Sequence, residues 1–216
     1  MRKILDFGPL TGRLLSMTYW HMLSALLYAL LAGFTGVFIL NYMIKHIGPE
    51  IQATQQLLGT GTMFLVLLFI VKTERLQRWL KSIYWWILVT GLWDGCFVLV
   101  LVYNPTLYCL SMGCIIGFTT IMMRLSAYGT NLVFRGEGKT THETLCQTSS
   151  TGGAIVGSVL AIAFQNIDIW TAIWIDVFCT LGVWLPMVLW GQKLVLNEID
   201  RQGGVKHLAD KINREM

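Results

Sequence analysis

The chain has 216 residues, of which 55% are hydrophobic and 13% charged, and its mean hydropathy is +0.60. That balance excludes an ordinary soluble domain of this length. The net charge of +4 calls for no nucleic-acid partner, because the basic residues collect in gaps between apolar runs, as membrane insertion requires.

Six apolar runs cover residues 20–42, 55–71, 82–103, 106–125, 148–164 and 169–190. Each has about the length that crosses a hydrocarbon core of ~30 Å. The expected fold is an all-α integral membrane bundle of six transmembrane helices over residues 1–190, followed by a cytoplasmic tail over 191–216. Arg2, Lys3 and Arg13 precede the first run. That run carries His21, read as interfacial, and Tyr28, Thr35 and Asn41, the first two of these three lying seven residues apart on one helix face. Lys45 alone marks the first gap. The second run holds Gly59, Thr60, Gly61 and Thr62, and the gap after it holds Lys72, Glu74, Arg75, Arg78 and Lys81. Asp94 sits in the middle of the third run, which ends at a short turn of Asn104 and Pro105.

The fourth run contains Thr119, Thr120 and Met123 and ends at Arg124. Residues 127–147, with Gly136 and Gly138 among charges, predict a flexible, hinge-like connection. Ser149, Ser150, Gly152, Gly153, Gly157 and Ser158 enrich the fifth run in small residues, and Asp176 lies in the outer part of the sixth. Beyond Trp190 the tail becomes polar, and Gly203 and Gly204 divide it into two short surface segments, with Lys193, Arg201, Lys206, Lys211 and Arg214 among them. Positive residues in alternate gaps place both termini in the cytoplasm of a multi-pass cell-membrane protein.

A charge inside a bilayer costs at least ~2.5 kcal/mol at mid-helix. Asp94 and Asp176 are therefore candidates for a proton carrier or a cation-binding carboxylate, with a structural hydrogen bond as the other reading. Arg124 is a candidate contact for substrate, or it snorkels to the headgroups. Small residues let helices approach closely, so Gly59, Gly61, Gly152, Gly153 and Gly157 mark either a contact between bundles or packing within one. Glu74, Arg75 and Arg78 form either a cytoplasmic latch or a solvated topogenic loop. The five cysteines have no metal-ligand spacing and read as small apolar helix residues. With no His-Glu-x-x-His, no Cys-x-x-Cys and no phosphate-binding glycine loop, neither an enzyme, a metal site nor a cofactor is expected.

Two stretches, 42–86 and 117–160, resemble the amino-terminal half of a major facilitator superfamily transporter. Glu74, Arg75, Leu76, Gln77 and Arg78 are similar to the acidic, basic, any, glycine, basic core of that family's loop between helices two and three. Glu74 replaces aspartate there, Gln77 the glycine, and Ile70 an earlier glycine; the Gly-Pro pair of many family antiporters and the arginine near the start of helix four are missing. The resemblance implies a half-size carrier completed by a homodimer or a second six-helix bundle. It implies a cavity on helices one and four, contacts through helices two and five, and peripheral helices three and six, with a small-molecule substrate moved by alternating access. Two other functions remain open: a solute-binding subunit of an ATP-driven vitamin importer, for which Ala25 and Ala29 have the docking spacing, and a non-transporting membrane partner.

Overall fold

The computed structural model describes residues 10, 12–70 and 73–215. Arg2, Lys3, Lys72 and the run end at Val71 lie outside the described residues, as does the side chain of Arg214. Ten α-helices occur among the described residues: α1 (Gly12–His46), α2 (Pro49–Ile70), α3 (Thr73–Trp79), α4 (Ile83–Phe97), α5 (Val100–Tyr103), α6 (Pro105–Val133), α7 (Gly136–Ala163), α8 (Ile169–Cys179), α9 (Leu185–Arg201) and α10 (Gly204–Glu215). A 3₁₀ turn, Leu80–Ser82, leads into α4, and a π-helical turn, Thr180–Trp184, joins α8 to α9. No strand occurs among the described residues. In lipid every backbone polar group must be satisfied within its own segment, and apolar helices meet that demand.

Leu10, Leu80, Leu132, Phe134, Ile199 and Leu208 share one apolar cluster, and Met43, Val98, Leu101, Tyr108 and Ile173 share another. The clusters mark opposite ends of the bundle. The first, which gathers both Leu10 and Leu208, is the terminal end. Among the described residues four helices are long and apolar enough to cross a membrane: α1, α6, α7 and the continuous α8–α9. A fifth is counted if residues 49–69 and 74–97, bent by 101°, cross as one unit. The second and third expected spans differ from the others for local reasons. α2 opens on Pro49, Glu50, Gln52, Gln55 and Gln56, which dilute its apolar stretch, and the third run breaks at Val98 and Leu99 into α4 and a single turn, α5.

Beside the contact of α1 with the α8–α9 helix, three helix pairs hold the bundle together: α1 with α7, α2 with α6, and α4 with the α8–α9 helix. Glycine mediates all three. A Cβ on Gly153 or Gly157 of α7 would stand 2.3 and 2.2 Å from the carbonyl oxygens of Leu26 and Leu30, and one on Gly33 of α1 would stand 2.8 Å from Ala154 O. In the second pair, a Cβ on Gly113 would meet Gln55 O at 2.8 Å, and one on Gly59 would meet Ile116 Cδ1 at 2.5 Å. In the third, Gly91 and Gly95 receive Leu185 and Leu181, each within 2.6 Å of the missing Cβ. Without water to drive association, such close backbone packing is the main attraction between membrane helices. Polar ties reinforce the second pair: Thr62 Oγ1 lies 3.4 Å from Gly113 O, and Cys109 Sγ donates to Gln55 Oε1 at 3.0 Å.

The expected hinge over 127–147 is instead helical. α6 continues to Val133 and α7 starts at Gly136, whose φ of +50° makes the sharp turn between them. Polar composition suggests a loop, but Leu132, Val133 and Phe134 anchor this corner in the terminal-end cluster. α9 likewise continues through Trp190 to Arg201, and Gly203 and Gly204, at φ +97° and +85°, divide it from α10. α10 packs Leu208 and Ala209 into the same cluster. Buried Glu198 accepts from Arg201 Nη2 at 2.6 Å and Gln202 Nε2 at 2.7 Å, and Arg13 Nη1 lies 3.7 Å away, which fastens the start of α1 to the end of α9.

Candidate functional site

Four of the residues singled out from sequence come together between α1, α4 and α8. Thr35 Oγ1 lies 2.7 Å from Asp176 Oδ1 and 2.9 Å from Leu31 O, and its single hydroxyl proton serves one of these acceptors at a time. Asp94 and Asp176 are within electrostatic reach of each other and of Tyr28. Tyr28 is 46% exposed, with its ring tilted against Trp184 at 5.4 Å, so it stands where the polar cluster meets the bundle surface. A fifth member, Tyr108 of α6, is buried within reach of both carboxylates. Sequence reading missed it because a tyrosine in an apolar run carries no mark of its neighbours.

No lysine, arginine or histidine is ion-paired with Asp94 or Asp176 among the described residues, and no hydrogen bond reaches Asp94. One turn before Asp94 on the same face of α4, Thr90 is 5% exposed and its Oγ1 has no partner among the described residues. The π-helical turn begins four residues after Asp176; such turns shift the facing of every residue beyond them and recur at functional sites. The arrangement is two carboxyl groups in an apolar bundle, one of them bonded to the Thr35 hydroxyl, with no counter-charge among the described residues. Ionised carboxylates taken from water without an opposite charge are costly, since attraction to that charge is what offsets desolvation.

The other expected cavity residues do not join this cluster. Asn41 is exposed near the far end of α1, Thr120 donates its hydroxyl to Ile116 O at 2.7 Å, and Met123 is exposed. No hydrogen bond links Asn41, Thr119 or Arg124 to either aspartate among the described residues. Arg124 is exposed on α6, two residues from Ser126, which accepts from Gln192 Nε2 at 2.5 Å in the terminal half of the bundle. The expected cavity between the first and fourth spans, α1 and α6, is thus replaced by a cluster of α1 against α4 and α8, because the face of α1 that carries Tyr28 and Thr35 turns toward the aspartates.

The glycine expectation divides. Gly59, Gly153 and Gly157 are spent on packing inside the chain, the second of the two readings. Gly61 and Gly152 have no atom within 4 Å of the point where a Cβ would stand and remain open. In α3, Arg75 donates through Nη1 to Phe69 O and lies over the Phe69 ring at 4.3 Å, bracing the bend; neither Arg75 nor Arg78 pairs with Glu74 among the described residues. His21 is not at a lipid surface but against His142 and Gly191. All five cysteines are free. At the opposite end, exposed Asp168 caps α8 by accepting from Thr171 N at 3.1 Å and Thr171 Oγ1 at 2.6 Å; these bonds hold its carboxyl below the usual range.

Compared with known proteins, the chain matches no family model, no curated protein and no solved structure.

Proposed function

We propose that this chain is a half-size secondary carrier: six membrane spans with both termini cytoplasmic, working as two copies that alternate access to a small solute and couple its movement to protons. The observation that carries the reading is the Asp94–Asp176 pair, half-buried between α1, α4 and α8 with no cationic side chain paired to it among the described residues. α4–α5 is taken as a full span because it leads from Leu80 in the terminal-end cluster to Leu101 in the opposite one, and α2 because it packs lengthwise on α6, with Gln55 at Gly113 and Val66 at Gly117. The helix pairing supports a repeat: exchanging the first three passes for the last three turns the α1–α7 pair into α6–α2 and leaves α4 with α8–α9. That internal exchange is the arrangement expected of a six-helix half of a major facilitator. The open Gly61 and Gly152 leave one small-residue position on each of the second and fifth passes for the other copy.

The importer reading loses its docking feature, because Ala29 is 7% exposed and faces the bundle rather than a partner. The carrier reading is tested by cross-linking. With Gly61→Cys and Gly152→Cys in one otherwise cysteine-free chain, oxidation in membranes is expected to join neighbouring copies. Tight co-purification of an ATPase with uncross-linked single chains would contradict it.

A further inference from the structure

Both helices that carry the carboxyls are interrupted one turn beyond them. α4 gives way at Val98, four residues after Asp94, and the π-helical turn starts at Thr180, four residues after Asp176. Interrupted membrane helices are where carriers commonly hold their cargo, because the break re-aims side chains and frees backbone.

Beside Asp94 stands an unanswered hydroxyl. Ile83, Ile87, Thr90, Asp94, Val98 and Leu101 follow one another at three or four residues and form the inner stripe of α4 and α5. Gly91 and Gly95, next along the chain from Thr90 and Asp94, seat Leu185 and Leu181 of the helix that carries Asp176, so the stripe runs along that helix. A helical side chain leans toward the N-terminus of its helix, which carries the Asp94 carboxyl over the turn occupied by Thr90. Thr54, Thr120 and Thr151 each donate the hydroxyl to the carbonyl four residues back. Thr90, only 5% exposed, does not, and its Oγ1 has no partner among the described residues. A buried hydroxyl in that state is costly unless something else bonds it.

Thr35 occupies Asp176 Oδ1, which leaves three acceptors open among the described residues: the Asp94 carboxyl, Asp176 Oδ2 and Thr90 Oγ1. A primary ammonium matches them, with three N–H donors and no acceptor of its own. Calcium or magnesium takes about six oxygens or more. The open side of the cluster lies at Tyr28, which is 46% exposed and tilted against the Trp184 ring at 5.4 Å. Aromatic faces attract a cation held beside them.

We propose that the Asp94–Asp176 site takes a primary amine in its ammonium form, head group on Asp94, Asp176 and Thr90 and body toward Tyr28 and Trp184, and that this amine is the solute exchanged for protons. The proposal rests on the carrier reading and names its substrate class. Ammonium and proton need the same carboxyl oxygens, so they bind in turn. One ammonium enters, one proton leaves, and the charge of the site is unchanged. The titratable groups in reach are Tyr28 of α1, Tyr108 of α6 with its neighbour Cys109, and Cys179 of α8, none of them cationic. Cys96 of α4 is exposed, and the stretch from the π-helical turn through Gln192 of α9 brings no titratable group.

The test is calorimetric titration of the full chain in nanodiscs with n-butylammonium, in two buffers of different ionisation heat so that proton release is read beside affinity. Binding with release of about one proton per ammonium is expected. Butyltrimethylammonium keeps the chain and the charge but has no N–H, and it is expected to bind at least about tenfold more weakly. Thr90→Val keeps the shape and removes the acceptor; it is expected to fold as wild type and to weaken butylammonium about tenfold. Equal affinity for the two cations, or wild-type affinity in Thr90→Val, overturns the three-acceptor site. Calcium binding without butylammonium binding overturns the amine class in favour of a divalent cation. The Asp94→Asn, Asp176→Asn double variant identifies the infrared C=O band of the two carboxyls. A protein in which that band titrates but butylammonium does not bind overturns the proposal and leaves the carrier reading intact. Binding with proton release but no exchange across sealed vesicles overturns the carrier reading and leaves the amine site.

Discussion

Gly157→Leu is expected to abolish the folded bundle. The new side chain would start 2.2 Å from Leu30 O, and no rotamer moves a Cβ, so α1 and α7 must separate along their length. Overpacking a well-packed core commonly costs about 1–3 kcal/mol. The larger part of that range or more is expected here, because the obstacle is backbone rather than a flexible side-chain tip. Thermal unfolding followed by tryptophan fluorescence, with size-exclusion profiles in detergent, measures the loss. Gly152→Ala, one residue from Gly153 but facing open space, is expected to retain the wild-type profile. Equal damage from both substitutions would contradict the assignment of α7's inner face.

Asp94→Asn is expected to remove proton-coupled transport and to stabilise the protein. The carboxyl has no hydrogen bond and no counter-cation among the described residues, so holding a group that can ionise there costs the fold. Replacing an uncompensated functional charge commonly yields about 1 kcal/mol of stability. The coupled activity is read as solute-induced proton movement in vesicles containing a trapped pH dye, and stability as the unfolding midpoint in detergent. Asp176→Asn is expected to lose coupling too, with a smaller gain in stability because Thr35 already hydrogen-bonds that carboxylate. A destabilised Asp94→Asn with intact coupling would make the residue structural.

An all-helical bundle with membrane-crossing helices was legible because apolar run length is a property of local sequence. Asp94, Asp176, Tyr28 and Thr35 stood out because each is costly or polar where lipid surrounds it. Their meeting point was not legible. Periodicity shows which residues of α1 share a face but not which helix that face meets, so resemblance directs the cavity to α6 whereas the face meets α4 and α8. Gly152 and Gly153 show the same limit: they differ by 100° around one helix, and only the neighbouring backbone decides that one is packed and the other open. The glycine pairs Gly91–Gly95 and Gly113–Gly117 carry a readable signal of the same kind, since each has the spacing seen at Gly153–Gly157. The corner at 134–135 was hidden because polar residues there serve helices that continue past the apolar core. His142 was hidden because its partners lie more than one hundred residues away in sequence.

Copy number in a bilayer bears most directly on the claim that this bundle is half of a machine. Native mass spectrometry of the protein extracted in lipid nanodiscs is expected to give two chains per disc across a range of dilutions. Single chains that still move solute and protons after reconstitution would contradict it.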